Sequence, residues 1–181
     1  RYSVRVAEKK GVSVEIVEKN LSDFFDIFYE VLSETGSRDS FYLHPKEYYR
    51  YILKACDTDK NAILVLSSYE GIILAANLVI LYGDTAMFIF GGTRNEYRNV
   101  MPAYAAQSAT ISYLQSKKYR WYNFGGVSED VEDKKGHDSW RGLTAFKKRF
   151  GGNFVEHGNF YDVVIQPFWY VLYVLYKTVR R

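Results

Sequence analysis

The chain has 181 residues, of which 48% are hydrophobic and 25% are charged, and its formal net charge is +3. This balance excludes a disordered or fibrous chain. So small a net charge does not by itself indicate a nucleic-acid-binding surface, because phosphate recognition needs locally clustered Lys and Arg. The single cysteine, Cys56, cannot form an internal disulfide, and the three His residues are scattered. We therefore expect a cytoplasmic protein without a bound metal.

One strand and two helices are predicted at the start of the chain. A polar lead-in precedes residues 12–16, where apolar and polar residues alternate as in a half-buried strand. An apolar stripe at helical spacing follows, with Asn20 or Ser22 as its cap, and stops near Gly36. A second helix is predicted to begin with Pro45, since proline is favoured in the first turn.

After the second predicted helix, the apolar residues change from helical spacing to the two-residue alternation that is typical of strands. Three β-rich runs are separated by short Gly-containing turns, which predicts an antiparallel meander. The predicted elements of the rest of the chain are strands at 62–68, 72–82 and 85–90, a loop at 91–99, a helix at 102–117, a strand at 121–124, a charged loop at 127–138, a helix at 139–150, a strand at 153–165 and a helix after Pro167.

This order of elements is that of the N-acetyltransferase-like (GNAT) α/β fold, in which helices flank a mixed, mostly antiparallel central sheet. We expect residues 1–166 to form such a domain. The helix in 167–181 is apolar nearly all round and therefore needs burial. We expect it to pack on an N-terminal domain of the same protein; the alternative is contact with a membrane surface. The polar stretch at Arg1 favours a fragment of a longer chain.

Two segments resemble the signatures of the Fem-type (FemABX) peptidoglycan aminoacyltransferases. They are WYNFGG at 121–126 and GLTAFKKRFGG at 142–152, and weaker similarity includes 5–12 and 91–95. The resemblance implies transfer of an amino acid from aminoacyl-tRNA, without a further cofactor, to an amine of a peptidoglycan precursor that is nucleotide-linked or lipid-linked. It also implies the second of two acetyltransferase-like domains, acting in the cytoplasm or at the inner face of the membrane.

Lys147 is the predicted catalytic residue. Steps of about 100° per residue place it within an apolar stripe of its helix, formed by Leu143, Phe146 and Phe150. Either its stem packs while the ammonium reaches water, or the ammonium faces a cleft. A Phe-Lys pair here is associated in the family with the acyl-tRNA end. The resemblance thus implies that Lys147 stabilises an oxyanion or holds a terminal phosphate, and that Phe146 stacks on the terminal adenine.

The strand end at Asn123, Gly125 and Gly126 is assigned to the substrate site by the same resemblance. The family usually has Asp at the position of Asn123. An amide keeps the hydrogen-bonding shape of a carboxylate but cannot accept a proton at neutral pH. We therefore expect Asn123 to anchor the strand end.

The segment after the meander supplies four further candidates. Arg94 and Arg98 either bind a phosphate or lie in a solvated turn, and Tyr97 and Tyr104 either place hydroxyls in the cleft or pack in the core. The glycines at 91–92 would allow a ligand to approach the backbone.

A rival function is an acyl-CoA-dependent N-acyltransferase using acetyl-CoA, but residues 91–98 lack the usual spacing of a CoA-binding turn. A non-catalytic interaction domain is the third alternative. Basic residues concentrated in the second half would face tRNA or solvent; they are Lys117, Lys118, Arg120, Lys134, Lys135, Arg141, Lys147, Lys148 and Arg149.

Overall fold

The computed structural model describes residues 1–127, 138–156, 158 and 161–179. The chain divides into two compact units, residues 1–151 and 152–181. The helices are α1 (Tyr2–Lys9), α2 (Phe25–Asp39), α3 (Lys46–Asp59), α4 (Pro102–Ser116), α5 (Asp138–Lys148) and α6 (Pro167–Val179). The strands are β1 (Ser13–Val17), β2 (Ala62–Tyr69), β3 (Ile72–Tyr82), β4 (Thr85–Thr93) and β5 (Trp121–Asn123), and short 3₁₀ helices span Leu21–Phe24 and Arg98–Val100.

The five strands form one sheet in the order β1-β2-β3-β4-β5. The first four strands are antiparallel, and β5 is parallel to β4. Short turns suffice for the antiparallel pairs, whereas the parallel pair needs the crossover that α4 supplies. The predicted mixed, mostly antiparallel sheet is confirmed.

Helices cover both faces of the sheet because β2 and β3 are apolar on both sides. Leu64 and Leu78 lie in a core with α2 and α3. Ile63 and Val79, which point to the opposite face, lie in a second core with α4. Complete burial of each such side chain contributes roughly 1.5–3 kcal/mol. The second core therefore holds α4, and the strand that follows it, in fixed positions on the sheet.

Helix α1 lies within the predicted polar lead-in, so that part of the prediction is wrong. Its Ala7 is fully buried, and the helix packs against α4. Ala7 is the one buried residue of α1; Ser3, Val4 and Val6 are half-buried, and the charged residues of the helix are exposed. Such a pattern carries little hydrophobic signal in a sequence.

The start of the first predicted helix also differs from expectation. Neither Asn20 nor Ser22 provides a side-chain cap. Instead the carboxylate of Asp57 on α3 accepts hydrogen bonds from the backbone N–H groups of Leu21 and Ser22, at 2.6 and 2.9 Å. Helix α2 continues past Gly36, where a Cβ would lie 2.9 Å from a methyl carbon of the Leu43 side chain. Gly36 therefore allows close packing and does not end the helix.

Residues 152–181 form the second unit, which contains α6 and the segment before it. The hydroxyl of Tyr170 on α6 donates to Oδ2 of Asp162, which precedes the helix, at 2.8 Å. The described residues of 153–165 are not in a strand, so the predicted strand is wrong for them, because alternation alone does not supply a hydrogen-bonding neighbour. Most of the predicted loop at 127–138 lies outside the described residues. In the described ranges, no helix is long and apolar enough to cross a bilayer.

Candidate active site

Strands β4 and β5 separate after a short parallel pairing. They pair from Thr85 opposite Trp121 to Met87 opposite Asn123, and β4 then continues to Thr93. The chain leaves β5 at the point where the two strands diverge. The WYNFGG segment therefore brings its glycines to the opening between these strands.

A tight turn fixes the chain at this opening. The side-chain Oδ1 of Asn123 accepts a hydrogen bond from the backbone N–H of Gly125 at 2.7 Å, and Gly125 has φ +75°. An Asn side chain that bonds the backbone two residues later mimics a backbone turn, and glycine adopts the left-handed region at low cost. The contact supports the predicted anchoring role of Asn123.

Substitutions at Asn123 separate an anchoring role from an acid–base role. We expect Asn123→Ala to lower the free energy of unfolding by about 0.5–1.5 kcal/mol, because the turn loses one hydrogen bond. Asn123→Asp keeps an acceptor oxygen and should unfold within a few tenths of a kcal/mol of the unaltered protein. Urea unfolding of the three proteins checks this. Equal stability of all three would contradict the anchoring role.

Lys147 on α5 lies at the same opening. Its ammonium donates a hydrogen bond to the Gly126 carbonyl at 2.7 Å. A Cβ on Gly125 would lie 3.7 Å from Lys147 Nζ and 3.6 Å from the carbonyl oxygen of Phe88, the residue that follows the last paired position of β4. The ammonium is therefore placed between α5, the double glycine and the edge of β4.

The inward orientation of Lys147 is confirmed, since the residue is only 8% exposed. The low exposure of Lys147 and its bond to the Gly126 carbonyl favour the cleft over the snorkelling alternative. Leu143 is 39% exposed, and Thr144 is buried in its place. The inward face of α5 is thus rotated by about one residue from the predicted stripe.

The charge on Lys147 lacks a compensating acid in the part of the chain that is described. None of the ion pairs there includes it, and burial lowers the pKa of its ammonium group. Burial of an ammonium disfavours its charged form, and groups with pKa values perturbed in this way cluster at functional sites. The ammonium is therefore suited to attract an anion or a developing negative charge.

A cluster of aromatic rings adjoins Lys147. Phe146 meets Tyr104 and Phe150 edge to face, with ring centroids 4.9 and 5.3 Å apart. Phe150 also stacks on Tyr104 and on Phe124, each at 5.6 Å. The ring of Phe146 is half-buried among these side chains. Its stacking on an adenine stays a prediction.

Tyr104 joins this cluster to a guanidinium. Its hydroxyl accepts a hydrogen bond from Arg149 Nη1 at 2.7 Å, and the guanidinium carbon lies 6.0 Å from the ring centroid. The ring of Tyr104 packs against Phe146 and Phe150, and its hydroxyl is hydrogen-bonded to Arg149. A role of this hydroxyl in the substrate cleft stays a prediction. Sequence reasoning placed Arg149 only in a general basic set.

Arg94, just after the C-terminal end of β4, is already paired with acidic residues. Its guanidinium pairs with Glu30 at 2.8 Å and Glu34 at 3.6 Å, and its Nε donates to the Ile73 carbonyl at 3.0 Å. Two carboxylates already balance its charge. These contacts support a structural role that joins β4 to α2, and they give no support to phosphate binding.

Tyr97 and Arg98 lie between β4 and α4, near the short 3₁₀ helix. Tyr97 has φ +49° and its ring centroid is 5.3 Å from that of Tyr69, and Arg98 is exposed. Their described contacts do not include Lys147 or the double glycine. Their roles at the substrate site stay predictions.

Gly91 and Gly92 belong to β4 and not to the predicted loop. A Cβ on Gly91 would collide with the side chains of Asn77 and Phe88, and a Cβ on Gly92 would lie 2.6 Å from Thr35 Oγ1. Both glycines are needed for packing between the sheet and its neighbours. The predicted close approach of a ligand is therefore not the reason for these two residues.

Gln107 and Tyr122 form a buried polar pair that sequence reasoning missed. The Tyr122 hydroxyl donates to Gln107 Oε1 at 2.7 Å, and Gln107 is 1% exposed. Burial raises the pKa of Tyr122, which keeps the hydroxyl protonated as a donor. The pair ties β5 to α4 just before the site. The signal for this pair in the sequence was Gln107, a polar residue within the apolar face of α4.

Part of the predicted basic set cannot be placed. Lys134 and Lys135 lie outside the described residues, as does the side chain of Arg141. Lys117 pairs with Glu18 at 3.5 Å, and Arg120 lies over the Trp121 ring at 5.4 Å. These two cations lie at the start of β5, whereas the double glycine follows its end.

Comparisons with solved structures show the fold. A FemX crystal structure has a TM-score of 0.71 and 22% identity, covering 81% of this chain and 52% of that one. The C-terminal domain of a putative lysylphosphatidylglycerol synthetase from Agrobacterium fabrum has a TM-score of 0.60 and 16% identity, covering 83% and 49%. An aminoglycoside N-acetyltransferase in complex with CoA has a TM-score of 0.59 and 10% identity, covering 84% and 96%. The chain thus has the N-acetyltransferase-like fold.

Sequence comparison identifies the family. Lipid II:glycine glycyltransferase of Staphylococcus aureus (strain USA300) is 32% identical over 112 residues, which are 61% of this chain and 25% of that protein. The protein of the same name from Staphylococcus saprophyticus is 29% identical over 122 residues, 67% of this chain and 28% of that protein. The chain thus spans about a quarter of the length of these relatives. The FemAB family model matches residues 1–70 and 67–178, so the chain belongs to the FemAB family.

Proposed function

We propose that this chain is the acyl-transfer part of an aminoacyltransferase that moves an amino acid from aminoacyl-tRNA to an amine of a peptidoglycan precursor. The observation that carries the proposal is the buried ammonium of Lys147, which lies at the divergence of β4 and β5 without an acidic partner among the described residues. The names of the glycyltransferase relatives support this reaction class.

The reaction needs little more than positioning and charge stabilisation. The amine nitrogen attacks the ester carbonyl, the new C–N bond forms, and the C–O bond to the ribose breaks. The proton lost by the amine is taken up by the departing ribose oxygen. Lys147 donates one hydrogen bond to Gly126, and its remaining N–H groups serve the carbonyl oxygen as negative charge develops. Such stabilisation is strong where water is excluded.

The donor and acceptor are assigned to different parts of the protein. Phe146 lies beside Lys147 and offers a ring near the acyl end. Because the chain matches about a quarter of its relatives, we assign acceptor recognition mainly to an N-terminal domain of the same protein. A lipid-linked acceptor would bring that protein to the inner face of the membrane, with α6 either covered by the other domain or in contact with the membrane surface.

A donor comparison in the full-length protein tests the proposal. We expect transfer of a labelled amino acid from charged tRNA to a peptidoglycan precursor, and none of an acetyl group from acetyl-CoA. The control is the same tRNA after deacylation with the free amino acid added. Transfer from acetyl-CoA in place of charged tRNA would overturn the donor assignment, and transfer from neither would overturn the proposed function.

A further inference from the structure

A cavity of about 340 Å³ lies beside the aromatic cluster, within the first unit. It is formed where α1 and α4 meet the chain just after α5. Its polar and aromatic lining comprises Arg1, Arg5, Glu8, Ser108, Arg149 and Phe150. The groups come from three separate elements, so the cavity exists only in the folded protein.

The lining of the cavity is strongly positive. Three arginines line it together with a single acidic residue, Glu8. No ion pair in the described ranges includes Arg5 or Arg149. Tyr104 takes one hydrogen bond from Arg149, and a guanidinium has five N–H donors. The cavity therefore holds donors and positive charge that suit an anion.

The elements that carry these guanidiniums are held in place. Ala7 anchors α1 by complete burial, and Lys10 donates to the Asn99 carbonyl at 3.4 Å before α4. Arg149 is fixed by its bond to Tyr104, whose ring stacks on Phe150. Ligands are bound more tightly by groups that are already ordered.

The cavity adjoins the proposed acyl-transfer site. The backbone N–H of Phe150 donates to the Lys147 carbonyl at 3.1 Å, so Phe150 and Lys147 are one turn apart, a spacing of roughly 5–6 Å between neighbouring side chains. An acyl ester on a terminal ribose is covalently followed by the phosphate of the same nucleotide. A ligand whose ester reaches Lys147 therefore presents a phosphate close to this cavity.

We propose that the cavity formed by Arg5, Arg149 and Phe150 is a subsite for a phosphate group near the 3′ end of the RNA that carries the acyl group. The subsite rests on the proposed function for the identity of its ligand. The guanidiniums bind the phosphate oxygens, and the Phe150 ring bounds the subsite towards Lys147. Phosphate binding here orients the ester without taking part in bond making.

Binding of an uncharged RNA tests the subsite directly. The probe is a fluorescent RNA hairpin with a single-stranded CCA 3′ end, titrated with the full-length protein over a series of salt concentrations. We expect the double variant Arg5→Gln/Arg149→Gln to bind on the order of 10-fold more weakly, with the magnitude of the slope of log K against log salt reduced by about 0.7, because one neutralised phosphate contributes about 0.7 for a single strand.

A control that matches each single variant is Arg50→Gln on α3, which removes one positive charge from the opposite face of the sheet. It should leave both affinity and slope unchanged. The single variants Arg5→Gln and Arg149→Gln, with circular dichroism melting, separate lost contacts from lost folding. Unaltered RNA binding by the folded double variant, an equal loss with Arg50→Gln, or no RNA binding by the unaltered protein would overturn the subsite.

Two further measurements identify the source of the phosphate and separate this inference from the proposed function. Displacement of the RNA by a nucleotide-linked precursor, lost in the double variant, would assign the cavity to the acceptor and overturn the RNA proposal. A KM for charged tRNA that the double variant leaves unchanged would overturn the subsite while transfer persists. If the double variant binds the RNA more weakly but the unaltered protein transfers no amino acid, the proposed function is overturned and the subsite stands.

Discussion

Replacing Lys147 with Met is expected to lower kcat for aminoacyl transfer by roughly 10²–10³-fold, the loss typical of one donor that stabilises an oxyanion. Methionine keeps an unbranched stem of similar length in the buried position, so the packing of α5 is largely preserved. The ammonium and its bond to the Gly126 carbonyl are lost. Initial rates with saturating charged tRNA, measured in the full-length protein, check the expectation.

Lys148→Met is the control for this experiment, because Lys148 is the exposed neighbour on the same helix. With charged tRNA saturating, its kcat should stay close to that of the unaltered protein, since Lys148 is exposed and has no assigned part in bond making. Thermal unfolding of both variants shows whether a loss of activity reflects a loss of folding. Full activity in a folded Lys147→Met protein would remove the ammonium from the mechanism.

Gly92→Ala is expected to destabilise the protein by about 1–3 kcal/mol or more, because it overfills a packed contact. The added Cβ would lie 2.6 Å from Thr35 Oγ1 and 2.8 Å from the carbonyl oxygen of Val31. Thr35 cannot rotate away cheaply, since its hydroxyl bonds the backbone N–H of Thr93 at 2.8 Å and the carbonyl of Val31 at 2.9 Å. For a chain of this size, Tm falls by roughly 2–4 °C for each kcal/mol.

Gly142→Ala is the matched control for that substitution. Gly142 is exposed on α5, and a Cβ there would meet nothing within 4 Å. Alanine is better than glycine in a helix by roughly 0.5–1 kcal/mol, so Tm should stay constant or rise slightly. Differential scanning calorimetry of both variants checks the pair, and a Gly92→Ala protein as stable as Gly142→Ala would contradict the packing role of Gly92.

The sequence was sufficient for features that depend on local period and side-chain chemistry. Alternation and turn residues predicted the meander of β2, β3 and β4, and helical spacing predicted that Lys147 faces inward. The predicted inward face of α5 was wrong by about one residue at Leu143. Three apolar residues at helical spacing do not fix the rotation of a helix about its axis more closely than that. Asn123 was expected to anchor a strand end, and an amide oxygen is suited to that turn.

Features that join distant segments were not predictable in this way. The cap at Leu21 comes from Asp57 on α3, and the packing role of Gly92 depends on Thr35 on α2. Neither contact has a signal in the sequence near the residue that it explains. Helix α1 was missed because Ala7 is a small residue whose burial follows from its position against α4.

By itself the sequence determined the order of the elements from β1 to α5, the glycine-rich strand end and the pairing of Phe146 with Lys147, because each depends on residues that are close in the chain. Only the tertiary structure decided which charges remain without an acidic partner among the described residues. Arg94 is neutralised by Glu30 and Glu34, while Lys147 is buried against a carbonyl. Compensation of a charge depends on which distant side chains folding brings within a few ångströms, and strong electrostatic effects are confined to that range.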